Sequence, residues 1–212
     1  MKTDNLIAAL SEDVDTPHMP LRRAFVIAIV VGAVIAGVSF LLTLGPRPDF
    51  MQAIETVRFD FKFVVTLALS LSAMFVARDI MRPEIGRPRL APILWIAPAL
   101  LAVAILLELW LLPANTWMPN LIGHNMRFCV TMIPFFSLGP LVLILWVFRG
   151  GAPAKPARAG ALAGLIAGGI GATFYAAHCF DDSPLFVAAW YSIAIGFVAA
   201  LGALAGSRIL RW

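Results

Sequence analysis

The sequence predicts an all-α polytopic integral membrane protein with six transmembrane helices. Of its 212 residues, 61% are hydrophobic and 13% are charged, whereas an average soluble domain is roughly half apolar and about a quarter charged. The apolar residues fall into runs of about 20 residues, the length that crosses a bilayer as a helix. No stretch outside these runs reaches the roughly 50 residues of an independent domain. Any soluble partner must therefore be met by a short segment.

The six apolar runs follow one another with short separators. They cover residues 24–44, 61–80, 91–112, 126–148, 159–178 and 185–206. The separators contain the glycine and proline clusters that interrupt helices. We therefore expect a polar tail at residues 1–23, a six-helix bundle over residues 24–206 and a short C-terminal segment at residues 207–212. Because acidic residues precede the first run, we expect that run to stay in the membrane and not to be cleaved as a signal peptide.

The distribution of lysine and arginine predicts the orientation. Of the sixteen such residues, one side of the predicted membrane carries only Arg47, Arg58, Lys62 and Arg127. Cytoplasmic loops carry the excess of Lys and Arg, so we expect both termini in the cytoplasm. The net charge of +4 is then loop charge that orients the protein. We expect no direct contact with nucleic acid, since no basic groove with interleaved aromatic residues is present.

The N-terminal tail is predicted to form a short amphipathic helix. Its apolar residues at helical spacing are Leu6, Ile7, Leu10 and Val14. A helix of about 11 residues is too short to be stable alone in water, so its apolar stripe must rest on the membrane, on the protein or in a partner's groove. The acidic residues Asp4, Glu12 and Asp13 disfavour an anionic membrane surface. The sequence favours a partner-binding helix, and a solvated tail is the alternative.

Small residues recur on the last two predicted helices. Gly160, Gly164 and Gly168 lie four residues apart in the fifth run, and Gly202 and Gly206 repeat the spacing in the sixth. Such faces let membrane helices approach closely. Packing within one bundle is the favoured interpretation, and a homodimer interface is the alternative.

Both cysteines are predicted to lie at the outer membrane face. Cys129 enters the fourth run and Cys179 leaves the fifth, with His124 and His178 beside them. In an oxidising compartment the two thiols can form a disulfide, or they can join the histidines as soft metal ligands. Alternatively, they are small buried hydrophobic residues. Basic neighbours are expected to lower the thiol pKa values and so favour the nucleophilic thiolate.

Charged residues at the same face predict a structural polar cluster. Its expected members are Arg58, Lys62, Arg127 and Asp181. Glu55, Asp60 and Glu108 are expected to supply ion-pair partners, because charges near a span are costly and usually find partners. The centres of the runs offer few polar groups for an ion pathway. No nucleophile elbow, phosphate-binding loop or zinc-protease helix is present, so an enzyme is not expected.

Four features together resemble one known family. They are the opening Thr3-Asp4-x-Leu6-Ile7-x-x-Leu10, the six spans, Arg58-Phe59-x-x-Lys62 before the second span, and His178-Cys179-x-Asp181 followed by Pro184 and Trp190-Tyr191. The chain resembles the NrsF family, the negative regulators of SigF. This resemblance implies a six-span protein of the bacterial inner membrane that acts as an anti-sigma factor for an extracytoplasmic-function sigma factor.

The resemblance also implies roles for particular residues. The cytoplasmic face is expected to sequester the sigma factor, and paired outer cysteines, here Cys129 and Cys179, are expected to sense oxidative or heavy-metal stress. No cofactor is implied beyond a heavy-metal ion as a signal. The matching tail residues are Asp4, Leu6, Ile7 and Leu10, and we expect them to bind the sigma factor. The arginine-rich stretch at residues 78–89 is an equally exposed candidate, because its arginines complement acidic surfaces.

Two other function classes remain open from the residues. One is a small transporter or channel for a metal ion or a hydrophobic solute, with His124, Cys129, His178 and Cys179 as its entrance. The other is a membrane thiol oxidoreductase, which the missing C-x-x-C spacing disfavours.

Overall fold

Six long helices form the part of the protein that the structure describes, as the apolar runs predict. The structure is a computed structural model that describes residues 19–80, 90–151 and 153–211. The long helices are α1 Leu21–Thr43, α2 Val57–Ile80, α3 Ala91–Leu111, α4 Met126–Arg149, α5 Pro156–Ala176 and α6 Pro184–Ile209. Each is long and apolar enough to cross a membrane. The described part of the chain contains helices and loops and no strand, so the all-α fold class is confirmed.

Short helical pieces complete the described structure. One helical turn, Phe50–Ala53, lies between α1 and α2, and the helix Trp117–Ile122 lies between α3 and α4. A 3-10 segment, Ala91–Trp95, opens α3, and a π-helical segment, Val187–Tyr191, lies near the start of α6. The predicted tail helix, with Asp4, Leu6, Ile7 and Leu10, and most of the arginine-rich stretch lie outside the described residues.

The helices extend beyond several of the apolar runs. Helix α2 begins at Val57, ahead of Arg58 and Asp60, and α6 continues to Ile209. Backbone hydrogen bonds continue through charged residues, whereas a hydropathy pattern stops at them. Charged side chains of the first turn of α2 are therefore part of a helix that reaches into the bundle.

Helix α5 is the central helix and packs against α6 through glycine. A Cβ atom on Gly160 would lie 2.1 Å from the Gly202 carbonyl oxygen, and one on Gly206 would lie 2.7 Å from the Pro156 carbonyl oxygen. Both distances are shorter than van der Waals contact, so the two backbones touch. The small-residue faces of α5 and α6 thus face each other within one chain, as the favoured interpretation predicted.

Helices α1 and α3 lie at the periphery. Helix α1 contacts α4 closely, because a Cβ atom on Gly32 would lie 2.8 Å from the Cα atom of Pro140. Most of the α3 surface is uncovered, and Trp95 and Trp110 near its ends are 73% and 82% exposed. Exposed tryptophans at helix ends are typical of the membrane interface.

The buried core consists of two hydrophobic clusters at opposite ends of the bundle. One is centred on Phe25, Phe148 and Ile166. The other contains both cysteines together with Tyr175 and Tyr191. We call the end of the bundle with the second cluster the cysteine end; the loops after α1, α3 and α5 lie there.

Candidate functional site

The two cysteines lie in one buried cluster at the cysteine end. Cys129 is in the first turn of α4 and Cys179 follows α5 directly. Both are 0% exposed, and both are free thiols. The rings of Tyr175 and Tyr191, whose centroids are 5.9 Å apart, pack in the same cluster. The structure therefore brings together the two residues that the sequence singled out, and it seals them from the surface.

Burial changes the expected chemistry of Cys179. Its Sγ lies 3.8 Å from the Asp181 carbonyl oxygen. Burial raises the pKa of the Cys179 thiol above its ordinary value, and the nearby Lys62 ammonium opposes this effect without overcoming it. The expectation that basic neighbours lower this pKa is therefore wrong for Cys179, because desolvation disfavours the thiolate more than the cation favours it. The thiol is held neutral and shielded.

The two histidines do not join the cysteines in a ligand set. The side chain of His124 is 97% exposed, and its Nδ1 lies 3.7 Å from an Asp181 carboxylate oxygen. His178 Nδ1 lies 2.9 Å from the Gly45 carbonyl oxygen, and because a carbonyl only accepts, this nitrogen is the donor. Within the described ranges, no group of three or more His, Cys, Asp or Glu side chains is placed to hold a metal ion. The residues present therefore do not fit a preformed metal centre.

Two cations hold the backbone of Cys179. The side chain of Lys62 is 0% exposed; its Nζ donates to the Cys179 carbonyl oxygen at 2.8 Å and pairs with Asp182 at 2.5 Å. Arg47 donates from Nη1 to the same carbonyl at 3.4 Å and to Asp182 at 3.1 Å. We call Arg47, Lys62, Asp49 and Asp182 the cationic clamp. It joins the loop after α1 and the first turns of α2 to the segment that carries the thiol.

Aromatic rings and a second carboxylate fix the Arg47 side chain. Its guanidinium carbon lies 4.6 Å from the Phe180 ring centroid and 5.6 Å from that of Phe59. Asp49 accepts from Nε at 2.7 Å and from Nη2 at 2.6 Å, a bidentate pair. Hydrogen bonding to Asp49 raises the pKa of Arg47, and the same contact lowers the pKa of Asp49. Both groups are therefore charged across the physiological pH range.

The residues of the predicted polar cluster belong to separate networks. Lys62 is in the cationic clamp, whereas Asp181 accepts from the backbone N–H groups of His124 and Asn125 at 3.1 and 2.8 Å. Arg127 is exposed on the first turn of α4. Arg58 pairs with Glu108 at 3.6 Å, as expected. The charges are divided because a half-buried carboxylate takes its nearest donors, and for Asp181 these are two backbone amides and the Asn125 side-chain amide.

Glu108 fastens the cysteine end of α3 to α6. It is 3% exposed and accepts from the Ser183 hydroxyl at 2.9 and 2.8 Å and from the Leu185 amide at 3.1 Å. Ser183 is also the N-cap residue of α6. One carboxylate thus organises the start of α6.

Sequence reasoning identified Lys62 and both cysteines, missed Arg47 and Asp49 as site residues, and assigned no role to Asp182. Arg47 contacts Asp182 across 135 positions of the chain, a separation over which no local pattern operates. A local signal did exist for half of the clamp. Arg47-Pro48-Asp49 places opposite charges two residues apart in a rigid loop.

Comparison with known families identifies the family of this chain. A family model named NrsF, negative regulator of sigma F, matches residues 10–212. The chain belongs to the NrsF family. The role that this family name describes is regulation and not catalysis, and it implies a sigma factor as the partner.

Two curated relatives match over their full length. The anti-sigma-F factor NrsF of Caulobacter vibrioides (strain NA1000 / CB15N) is 36% identical over 223 residues, and the alignment covers 100% of both chains. The probable anti-sigma-F factor NrsF of Azospira oryzae (strain ATCC BAA-33 / DSM 13638 / PS) is 29% identical over 221 residues, again with 100% of both chains covered. No solved structure matches the chain.

Proposed function

We propose that this protein is an anti-sigma factor that holds an extracytoplasmic-function sigma factor at the bacterial inner membrane and releases it under stress. The observation that carries the proposal is the family match over residues 10–212. Six helices able to cross a membrane support the membrane location, and the excess of Lys and Arg outside the cysteine end supports cytoplasmic termini. The cysteine end then faces the periplasm.

Short cytoplasmic segments are the proposed binding site for the sigma factor. The tail residues Asp4, Leu6, Ile7 and Leu10 form one candidate, and the arginine-rich stretch at residues 78–89 forms the other. Each is attached to a long helix, because the tail precedes α1 at Leu21 and the stretch includes the last turn of α2 at Ile80. A displacement of either helix therefore moves a candidate sigma-factor-binding segment.

The cationic clamp supplies a physical connection from the thiols to these two helices. Arg47, in the loop after α1, and Lys62, in α2, both donate to the carbonyl oxygen of Cys179. A chemical change at Cys179 therefore acts on α1 and α2. The opposite ends of these two helices carry the candidate sigma-factor-binding segments. Helices transmit such shifts as rigid elements, and a packed core tends to switch between discrete arrangements.

The proposed signal is a change at the buried thiols: peroxide is reduced to water as it takes two electrons and two protons from Cys129 and Cys179 to leave a disulfide, or a heavy-metal ion displaces the thiol protons and binds the sulfur atoms. Both thiols are 0% exposed in a packed cluster, and close-packed interiors accept neither an added ion nor a shift of the sulfur atoms without rearrangement. Modification therefore stabilises a second packing in which the clamp is altered. If the two packings differ by about 1.4 kcal/mol in their free energy of sigma-factor binding, their affinities differ tenfold.

The first experiment asks whether the detergent-solubilised protein co-purifies a sigma factor from its host. Wild type is compared with Leu6→Asp plus Leu10→Asp, which places two charges on the apolar stripe. The matched control is Asn5→Asp plus Ala8→Asp, which adds the same charges to the opposite face of the predicted helix. If the sigma factor is recovered with wild type and with the control but not with the Leu6→Asp plus Leu10→Asp variant, the tail is the sigma-factor-binding segment.

Other outcomes of this experiment are equally informative. If the sigma factor is recovered with all three proteins, the arginine-rich stretch becomes the proposed binding segment. Recovery with none of them, from correctly folded protein, contradicts the anti-sigma function.

A second experiment tests the sensor. Cys129→Ser plus Cys179→Ser is expected to retain sigma-factor binding and to abolish induction of the sigma-dependent promoter by peroxide or cadmium. Wild-type induction in this double variant would refute the sensor role and leave the anti-sigma function standing.

A further inference from the structure

A groove between α2, α3 and α6 opens onto the lateral surface of the bundle. Its volume is about 330 Å³, at the lower end of the roughly 300–1,000 Å³ of small-molecule pockets. Val65 and Leu69 of α2 and Leu101 and Ile105 of α3 form two of its walls, and Ile195 of α6 lies among the residues opposite. The open side is marked by exposed residues of α3 and α6, among them Ala102 and Gly196.

The groove exists because α3 and α6 pack incompletely between the two ends of α3, although Leu101 still contacts the second hydrophobic cluster. At one end the Leu90 amide donates to Asp79 at 3.2 Å, and Ala97 is 3% exposed. At the other end Glu108 binds Ser183 and Leu185. Between these attachments Gly196 of α6 leaves open space, since a Cβ atom on this residue would have no neighbour within 4 Å.

The lining selects a hydrocarbon. Thr66, Tyr191 and Ser192 are its polar residues, and the rest of the wall is apolar. The Thr66 hydroxyl donates within its own helix to the Lys62 carbonyl oxygen at 2.9 Å, so it is not free for a ligand. A charged or strongly polar occupant would leave its own groups without partners, which is costly in an apolar site.

The dimensions match one acyl chain of a membrane lipid. Along α3 the lining runs from Ala97 to Ile105, about 12 Å at 1.5 Å per residue. One leaflet contributes about 15 Å to a hydrocarbon core of about 30 Å. The groove runs along the helices, the direction in which lipid chains extend, and it opens sideways between the spans.

We propose that this groove is a lipid-binding site that holds an acyl chain of a bilayer phospholipid between α3 and the α2–α6 wall. The inference rests on the proposed membrane location but not on the sigma-factor partner. An acyl chain restores the van der Waals contacts that the gap forfeits. Tyr191 belongs to both the groove wall and the thiol cluster, so the bound chain packs directly behind the proposed sensor.

The test uses photocrosslinking in proteoliposomes. The vesicles consist of phosphatidylethanolamine and phosphatidylglycerol with a trace of phosphatidylcholine that carries a diazirine in one acyl chain. After illumination, crosslinked peptides are mapped by mass spectrometry. Crosslinks are expected at Leu69, Leu101 and Ile195 in the groove, and also at Leu41 and Leu42 of α1, which are 67% and 81% exposed and serve as the bulk-lipid reference.

Three variants make the test specific. Gly196→Leu fills the groove and is expected to lower groove crosslinking, relative to Leu41 and Leu42, by about fivefold or more, which corresponds to about 1 kcal/mol of lost affinity. Ala200→Leu adds bulk one turn further along α6, at an exposed position outside the lining, and is expected to change nothing. Gly196→Ala controls for the removal of a helical glycine and is expected to retain most of the groove crosslinks.

The failures are distinguishable. Crosslinks at α1 without crosslinks in the groove, or groove crosslinks that persist in Gly196→Leu, overturn the lipid site and leave the membrane location standing. Loss of crosslinks at α1 as well contradicts the membrane location itself, and with it both proposals.

Discussion

Replacing Lys62 by methionine is expected to destabilise the protein because the cationic clamp loses its buried ammonium group. Methionine has a similar length and an adaptable shape, so the change removes charge more than volume. Breaking a buried ion pair by removing one partner costs about 3–5 kcal/mol. Here Asp182 is 21% exposed and keeps Arg47 at 3.1 Å. The expected loss in unfolding free energy is therefore at or below the lower limit of that range, about 2–3 kcal/mol.

The assay is equilibrium unfolding of the protein in bicelles, with three comparison variants. Arg127→Met removes a cation from the same end of the bundle, but Arg127 is exposed, so its effect is expected within about 0.5 kcal/mol. The other two are Asp182→Asn alone and Asp182→Asn combined with Lys62→Met; the combined variant is expected to be more stable than the sum of the two single changes implies.

A second readout reports the clamp directly. In a Cys129→Ser background, Lys62→Met is expected to raise the rate of maleimide labelling of Cys179 by about tenfold or more, since each 1.4 kcal/mol of easier local opening is tenfold. If Lys62→Met leaves both the unfolding free energy and the labelling rate at wild-type values, the clamp does not hold the thiol segment.

Three further predictions concern other parts of the structure. Gly202→Ala is expected to lower the unfolding free energy by at least about 2 kcal/mol or to prevent folding, because its Cβ atom would lie 2.3 Å from the Gly160 carbonyl oxygen. Gly196→Ala lies on the same helix with open space around it, and it is expected to be neutral or stabilising by up to about 1 kcal/mol. Equal melting temperatures in the two variants would contradict the close α5–α6 contact. Glu108→Leu is expected to lower stability by about 2–3 kcal/mol, because a buried hydroxyl and an amide lose a charged acceptor; a melting temperature equal to wild type would show that Glu108 does not hold α3 to α6. Alkylation of Cys179, measured against pH in the Cys129→Ser variant, is expected to rise only well above the ordinary thiol pKa of about 8.5, because burial raises the pKa of this thiol. Since the folded state favours the protonated thiol, this stabilisation is full below the unfolded-state pKa and is lost as pH rises through the folded-state pKa; half-maximal alkylation at or below the ordinary value would refute the shielded site.

The positions of the helices were readable from sequence, but the polar contacts were readable only in part. Six apolar runs predicted six helices, and the glycine spacing predicted the close α5–α6 faces. The Arg58–Glu108 pair was also among the expected pairings. The division of the polar cluster was not predictable, because the choice of a donor for Asp181 depends on the loop before α4, which brings two backbone amides to its carboxylate.

The chemistry of the cysteines shows the same limit. Their location at one end followed from counting spans, and both lie in one cluster. The direction of the Cys179 pKa shift was predicted wrongly, because sequence shows which charges are near in the chain and not how much water remains around the thiol. The metal-ligand alternative depended on side-chain positions, and the structure directs His124 outward and His178 toward Gly45.

The sequence by itself determined that the chain forms helices of membrane-spanning length. Apolar runs of this length must satisfy their backbone hydrogen bonds internally in lipid, and a helix does this with local contacts alone. Only the tertiary structure decided that Lys62, Arg47 and Asp182 meet at the carbonyl oxygen of Cys179. These contacts cross 117 to 135 positions of the chain, and they depend on how the helix ends pack together, which no local periodicity encodes.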